Sequence, residues 1–107
     1  MKEIFLKKGF AKSPSFIDEA EVKLIKQIYN QILKDLDSSS HLRSDLSGEG
    51  RVGEEKITQI MCPSLIFKSL KKSKTYKKAL FQANLLLGED MSLDFDMLIN
   101  KRPITNT

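Results

Sequence analysis

The clearest pattern in the chain is a helical repeat of apolar residues over 18–36. Asp18 stands just before it as a candidate N-cap, and Glu21, three residues later, completes a capping box. Apolar side chains then recur every three or four positions, which predicts an amphipathic helix with one face on a core. These positions are Val22, Ile25, Ile28, Tyr29, Ile32, Leu33 and Leu36.

Further along the chain, a strand and a second helical region are predicted. Residues 55–62 are rich in β-branched side chains and stop at Pro63, which is typical of a strand and its end. Residues 65–70 then predict a short helical turn. A longer helix is expected to begin at a Ser73 cap and to end at Gly88.

Three other segments complete the picture. Residues 3–6 predict a short first strand. Residues 38–53, half of them Ser or Gly, predict an exposed and mobile loop. Residues 91–101 alternate between apolar and polar, which predicts a long strand with its apolar side on a core. That apolar side comprises Met91, Leu93, Phe95, Met97 and Ile99. Helices and strands together predict an α+β fold.

Composition limits the classes of function. The 107 residues suit one domain over 1–107, and the single cysteine, Cys62, excludes an internal disulfide. The single histidine, His41, excludes any metal centre that needs two imidazoles from this chain. No apolar run is long enough to span a bilayer, and the first residues lack the apolar centre of a signal peptide. We therefore expect a cytoplasmic protein with no membrane association.

Charge is distributed unevenly along the chain. The formal net charge is +4, but six lysines fall between Pro63 and Leu80 with no acidic residue among them, and the rest of the chain carries −2. Such a cluster is compatible with binding to nucleic acid or an acidic partner. We favour a solvated helix face over nucleic-acid binding, because the cluster lacks arginine. The six are Lys68, Lys71, Lys72, Lys74, Lys77 and Lys78.

Isolated chemical motifs add little. Asp94 and Asp96 have the Asp-x-Asp spacing of some metal-binding transferases, but the wet side of any strand gives the same spacing. His41 has no paired carboxylate or thiol nearby in the sequence, and we expect a surface histidine. Cys62 has no neighbouring histidine, and we expect a buried, inert thiol.

Three strings, taken in order, resemble the phytanoyl-CoA dioxygenase family. Gly9-Phe10 followed by 16–22 (Phe-Ile-Asp-Glu-Ala-Glu-Val) is similar to the opening of the family's domain. Residues 86–90 (Leu-Leu-Gly-Glu-Asp) resemble a family helix end. Residues 97–101 (Met-Leu-Ile-Asn-Lys), with Pro103, resemble the strand that precedes the family's iron-binding His-x-Asp.

The resemblance implies an iron(II)- and 2-oxoglutarate-dependent oxidoreductase on a double-stranded β-helix, a jelly-roll fold, with helices outside. The chain stops at Thr107 without His-x-Asp, the second histidine or the 2-oxoglutarate arginine. We therefore expect the N-terminal helices and first strands of such a dioxygenase, truncated and inactive alone. Iron, 2-oxoglutarate and a small-molecule substrate would bind the full-length protein, and no cofactor would bind this chain tightly. The alternative is a self-contained small basic α+β module that uses its lysine-rich helix.

The resemblance also marks two cofactor-binding positions. In relatives of phytanoyl-CoA hydroxylase, a basic residue and a methionine on successive strands lie against 2-oxoglutarate, and the matching positions are Lys56 and Met97. An ammonium can pair with a carboxylate, and a thioether can pack on an aliphatic acid. Without such a role, Lys56 is the exposed end of a strand and Met97 a core methionine.

The strand predicted over 91–101 carries one more expectation. In an incomplete jelly roll, this strand lacks a neighbour on at least one side. Unpaired edges with apolar side chains are sites of association. We therefore expect the 107-residue chain to self-associate through this strand, or to be marginally stable because that apolar side is exposed.

Overall fold

A computed structural model describes residues 1–48, 50–88 and 90–103. Glu49, in the predicted loop, Glu89, in the Leu-Leu-Gly string, and residues 104–107, including Thr107, lie outside the described residues. The described part is α+β, as predicted. Its elements, in chain order, are helices α1 (Lys2–Lys8), α2 (Glu19–Lys34) and α3 (Leu36–Ser39), a 3-10 turn (Ser40–Leu42), strands β1 (Arg43–Asp45) and β2 (Ile57–Met61), helices α4 (Pro63–Ile66), α5 (Ser69–Lys72) and α6 (Lys74–Leu87), and strand β3 (Met97–Lys101).

The three strands form one antiparallel sheet in the order β1-β2-β3. In β2, Ile60 lies opposite Arg43 of β1 and Leu98 of β3. The strand predicted over 55–62 is therefore confirmed, although β2 covers only 57–61. It is the central strand of the sheet. Arg43 and Leu98 therefore flank Ile60 on the same face of the sheet.

The core lies between α2 and one face of the sheet. Ile28 and Ile32 of α2 are buried against Ile60 and Leu98 of the sheet. Partly buried apolar side chains surround them: Ile25, Tyr29, Leu33, Leu42, Phe67 and Leu70. The predicted apolar stripe of α2 is thus confirmed at its centre. Its two ends, Val22 and Leu36, are exposed.

Both predicted helix caps are confirmed. The Asp18 carboxylate accepts a hydrogen bond from the backbone N–H of Glu21 at 2.8 Å, and the Ser73 hydroxyl accepts one from the backbone N–H of Tyr76 at 3.1 Å. The prediction that Glu21 completes a capping box was wrong, because its carboxylate does not return to Asp18 and instead reaches the first turn of α6. This carboxylate accepts from both the backbone N–H and the hydroxyl of Thr75, each at 2.9 Å. Glu21 therefore connects the starts of α2 and α6.

The prediction of a strand at 3–6 was wrong, because these residues lie in α1. Glu3 occupies the first turn of α1, and Lys7 and Lys8 occupy the last, which suits the helix dipole. Gly9 ends the helix with a left-handed φ of 81°. Four residues are too few to distinguish the period of a strand from that of a helix.

The prediction of a strand over the whole of 91–101 was wrong in extent and in orientation. Only β3 is a strand, and its residue on the core face is Leu98. Met97 and Ile99, predicted to face the core, are 41% and 53% exposed. Residues 91–96, which carry the first half of the predicted alternation, form no strand. In β3 itself, three consecutive apolar residues leave the orientation of the strand undetermined by its own pattern.

The segment 38–53 is only partly the exposed loop that was predicted. It includes the end of α3, the 3-10 turn and β1. Ser39 is fully buried, and its hydroxyl donates to the carbonyl of Asp35 at 2.8 Å. The Ser39 side chain here bonds the helix backbone instead of facing solvent in a loop. Because β1 contains no apolar residue, hydrophobic periodicity could not detect it.

Candidate functional site: the open face of the sheet

The sheet has a second face, which α2 does not cover. We call it the open face, and it consists of Ser44, Ile57, Gln59, Met61, Met97, Ile99 and Lys101, which the strand register places on one side. Ser44, Met97, Ile99 and Lys101 are exposed on it. Apolar side chains on both faces of a sheet are typical of a sheet packed between two layers.

Met97 lies on this open face, at the beginning of β3 and opposite Met61. The side-chain amide of Gln59 lies between the two methionines, with its nitrogen 3.0 Å from the Met97 sulfur and 3.5 Å from the Met61 sulfur. The Gln59 carbonyl oxygen in turn lies 3.4 Å from the Ser44 hydroxyl. The interpretation of Met97 as a core methionine is wrong, because the residue is 41% exposed.

Lys56 lies at the other end of the β2-β3 ladder. Its backbone carbonyl accepts from Arg102 at 3.1 Å, and its backbone N–H donates to Asp45 at 3.0 Å. Met61, the partner of Met97, lies five positions after Lys56, which is about 17 Å along a strand. Alternation also assigns Lys56 to the side of Thr58. The structure therefore does not place the Lys56 and Met97 backbones side by side.

The Asp45 carboxylate fixes the end of the ladder near Lys56. It accepts hydrogen bonds from the backbone N–H and hydroxyl of Ser47 and from the backbone N–H groups of Lys56 and Ile57. Burial acts to raise the pKa of Asp45, but these four hydrogen bonds outweigh it and hold the pKa far below its ordinary value. Asp45 thus stays ionised and joins β1 to the start of β2.

A buried ion pair lies behind this end of the sheet. The Arg43 guanidinium contacts the Glu55 carboxylate through two hydrogen bonds, at 2.9 and 3.3 Å, and the two side chains are only 4% and 2% exposed. Arg43 also donates to the carbonyl of Leu33 and to the hydroxyl of Ser39. Burial acts to raise the pKa of Glu55, but Arg43 and backbone N–H groups lower it overall. Sequence reasoning missed this pair, because its two residues belong to a short strand without apolar residues and to a loop.

An apolar groove of about 320 Å³ separates α2 from β3. Its lining includes Ile25 and Tyr29 from α2 and residues 96–99. The Tyr29 hydroxyl donates to the side-chain carbonyl of Asn100. Burial raises the pKa of Tyr29. Because residues 96–99 line the groove, it is continuous with the edge of β3, and most of its lining residues are apolar.

The isolated motifs resolve into structural roles. The Asp96 carboxylate accepts from the backbone N–H and hydroxyl of Ser64 and so holds the start of α4, whereas Asp94 is exposed. His41 is exposed, as expected. Cys62 is partly rather than fully buried and has a left-handed φ of 53°. Among residues 1–48, 50–88 and 90–103, no three histidine, cysteine or acidic side chains are grouped to hold a metal ion.

All six clustered lysines are exposed, on α5, on α6 or next to them. Lys74, Lys77 and Lys78 share one side of α6 by their spacing. Lys78 donates to the backbone carbonyl of Phe16 at 2.8 Å. In the described part of the chain, no helix combines the length and the apolar character needed to cross a bilayer.

No protein-family model, curated protein or solved structure matches this chain.

Proposed function

We propose that this chain forms the helix-covered part of an iron(II)- and 2-oxoglutarate-dependent hydroxylase of the phytanoyl-CoA dioxygenase type. The observation that carries the proposal is the position of Met97. The resemblance puts this residue against 2-oxoglutarate, and Met97 is exposed on the open face rather than packed under α2. In a jelly roll, the inner faces of two sheets enclose the site, and helices lie outside.

The order of layers supports the same proposal. The helix-covered face carries the buried Ile60 and Leu98, and the open face carries the accessible Met97 and Ile99. A second sheet packed on the open face would cover these side chains and complete a two-sheet domain. The ordered strings at 9–22, 86–90 and 97–103 add the family resemblance.

The residues of this chain do not fit the iron. A facial triad needs two histidines and a carboxylate, and His41 is the only histidine. We therefore derive no chemical step from this chain. In the hydroxylase, the Met97 thioether would pack on 2-oxoglutarate, and the Lys56 ammonium would pair with a carboxylate of 2-oxoglutarate. Because Lys56 lies at the far end of the ladder and, by alternation, on the other side of the sheet from Met97, the pairing of its ammonium with 2-oxoglutarate rests on the resemblance alone.

The first test is the sequence of the native transcript, which is expected to continue into a His-x-Asp motif. The native-length protein is then assayed for iron-dependent conversion of 2-oxoglutarate to succinate. We expect Met97→Ala to raise KM for 2-oxoglutarate, whereas Met91→Ala, a methionine outside the sheet, leaves it unchanged. A transcript without the motif, or equal effects of the two variants, would refute the proposal.

A second candidate function rests on the exposed lysines of α5 and α6. A basic module would bind mixed oligonucleotides with an affinity that falls steeply as salt increases. Binding should be lost when Lys71, Lys72, Lys74, Lys77 and Lys78 are changed to Gln. The absence of binding at low salt would eliminate this candidate and leave the hydroxylase proposal untouched.

A further inference from the structure

We propose that the outer edge of β3 is a self-association site, at which a second copy of the chain adds its own β3 antiparallel about a two-fold axis at Leu98. This inference is independent of the proposed hydroxylase function, because it uses only the strand edge, the groove beside it and the charges along it. The proposed dimer consists of two copies of this 107-residue chain.

Backbone geometry shows which groups the edge offers. Cys62 donates to the carbonyl of Asp96, and Arg102 donates to that of Lys56, so that even-numbered residues of β3 exchange hydrogen bonds with β2. The backbone groups of Met97 and Ile99 therefore point away from β2. No strand in the described part of the chain pairs with this side.

The side chains at this edge are also accessible. Met97 and Ile99 are about half exposed, and the apolar groove of about 320 Å³ lies beside them under α2. A strand added to β3 would continue the sheet over this groove. With the axis at Leu98, Met97 lies opposite Ile99 of the second copy, and four backbone hydrogen bonds form. The two Leu98 side chains then meet on the helix-covered face, next to the groove.

The charges along the edge favour a second copy in this orientation. Asp94 precedes the apolar centre of the strand, Lys101 and Arg102 follow it, and all three are exposed. An antiparallel copy sets the acidic end of each strand against the basic end of the other, whereas a parallel copy sets like charges together. The segment 94–102 is therefore complementary to itself, and it buries apolar side chains at its centre.

Sedimentation velocity over micromolar to millimolar concentrations tests the proposal, with a dimer expected. Ile99→Lys should raise the dissociation constant by about tenfold or more, because a lysine at a strand edge opposes pairing. Leu6→Lys, on α1, is the matched control at another exposed apolar residue and should leave it unchanged. Circular dichroism of each variant checks the fold.

Disulfide trapping tests the register without a destabilising charge. In a Cys62→Ser background, Met97→Cys and Ile99→Cys chains are oxidised separately and as a mixture. The mixture should give mostly the disulfide between the two different chains, because positions 97 and 99 face each other across the dimer. A monomer at every concentration, equal loss of the dimer in Leu6→Lys, or trapping no greater in the mixture than in each chain alone would overturn the proposal.

Discussion

Replacing Arg43 with Met is expected to leave the Glu55 carboxylate buried without its partner. Arg43 has a long side chain with apolar methylene groups, so Met preserves much of its packing volume while removing the charge. The change also removes the donors to the Leu33 carbonyl and the Ser39 hydroxyl. Among the described residues, Glu55, only 2% exposed, then keeps a donor from one other residue, the backbone N–H of Gly53.

The expected cost is about 3–5 kcal/mol, since breaking a buried ion pair leaves an uncompensated charge. A domain of this size is typically stable by about 5–15 kcal/mol, so that this loss is a large share of the total. At roughly 4 °C per kcal/mol, the melting temperature should fall by about 12–20 °C. Replacing both Arg43 and Glu55 with Met should cost much less than Arg43→Met alone, because no charge is then buried.

The pH dependence gives this prediction its sharpest test. In the wild type the pKa of Glu55 is lowered, so its contribution to stability is present above its ordinary pKa of 4.5 and is lost as the pH falls below it. Without Arg43, burial dominates and raises the pKa of Glu55. Protonation of Glu55 at low pH then removes the buried, unpaired charge and reduces the loss of stability in the variant. The difference in unfolding free energy between the two proteins should therefore shrink from pH 7 to below pH 4.

Urea unfolding followed by circular dichroism measures these free energies at each pH. Lys34→Met is the matched control, because Lys34 is an exposed cation in the last turn of α2, and it should change stability by less than about 0.5 kcal/mol. A loss below about 1 kcal/mol in Arg43→Met, or a loss that is the same at both pH values, would refute the reasoning.

Three further predictions concern other groups. Tyr29→Phe should cost about 1 kcal/mol, because Asn100 loses its donor, and alkaline titration by absorbance should show Tyr29 ionising above its ordinary pKa of 10.0 in the folded protein but not in urea. Gly50→Ala should destabilise by about 1–3 kcal/mol in thermal unfolding, since a Cβ there would overlap the Asp45 carboxylate and lie 2.8 Å from the Glu55 backbone. The pKa of Asp45 is lowered from 3.8, so its stabilisation is lost as the pH falls below that value, and Asp45→Asn should flatten the acid dependence of stability measured in urea.

The sequence predicted the parts of the fold whose information is local. The centre of the α2 stripe, the Asp18 and Ser73 caps and the strand at 57–61 depend on neighbouring residues, and these four predictions were confirmed. The orientation of β3 depends instead on which residue meets Ile60, a contact across the chain. No local pattern fixes it when Met97, Leu98 and Ile99 are all apolar.

The candidate site was predictable to a smaller degree. Met97 was selected by resemblance, and the structure placed it on the accessible open face, although periodicity had assigned it to the core. The Arg43–Glu55 pair and the hydrogen bonds from Lys56 and Ile57 to Asp45 join residues 11 or 12 positions apart, through side chains that in sequence are typical of any surface loop. Only the paired strands bring them together.

The double role of Glu21 has a consequence for how the helices open. Its backbone N–H is held by the Asp18 cap of α2, while its carboxylate holds the first turn of α6 through Thr75. α6 contributes no fully buried residue of its own. The N-terminal end of α6 is thus hydrogen-bonded to α2, the helix that contributes most to the core. Local unfolding of α6 is therefore expected to begin at its C-terminal residue, Leu87, and to proceed toward Lys74. Local opening would then be directional, and complete loss of α6 would require Thr75 to release the Glu21 carboxylate, while the Asp18 cap of α2 stays formed.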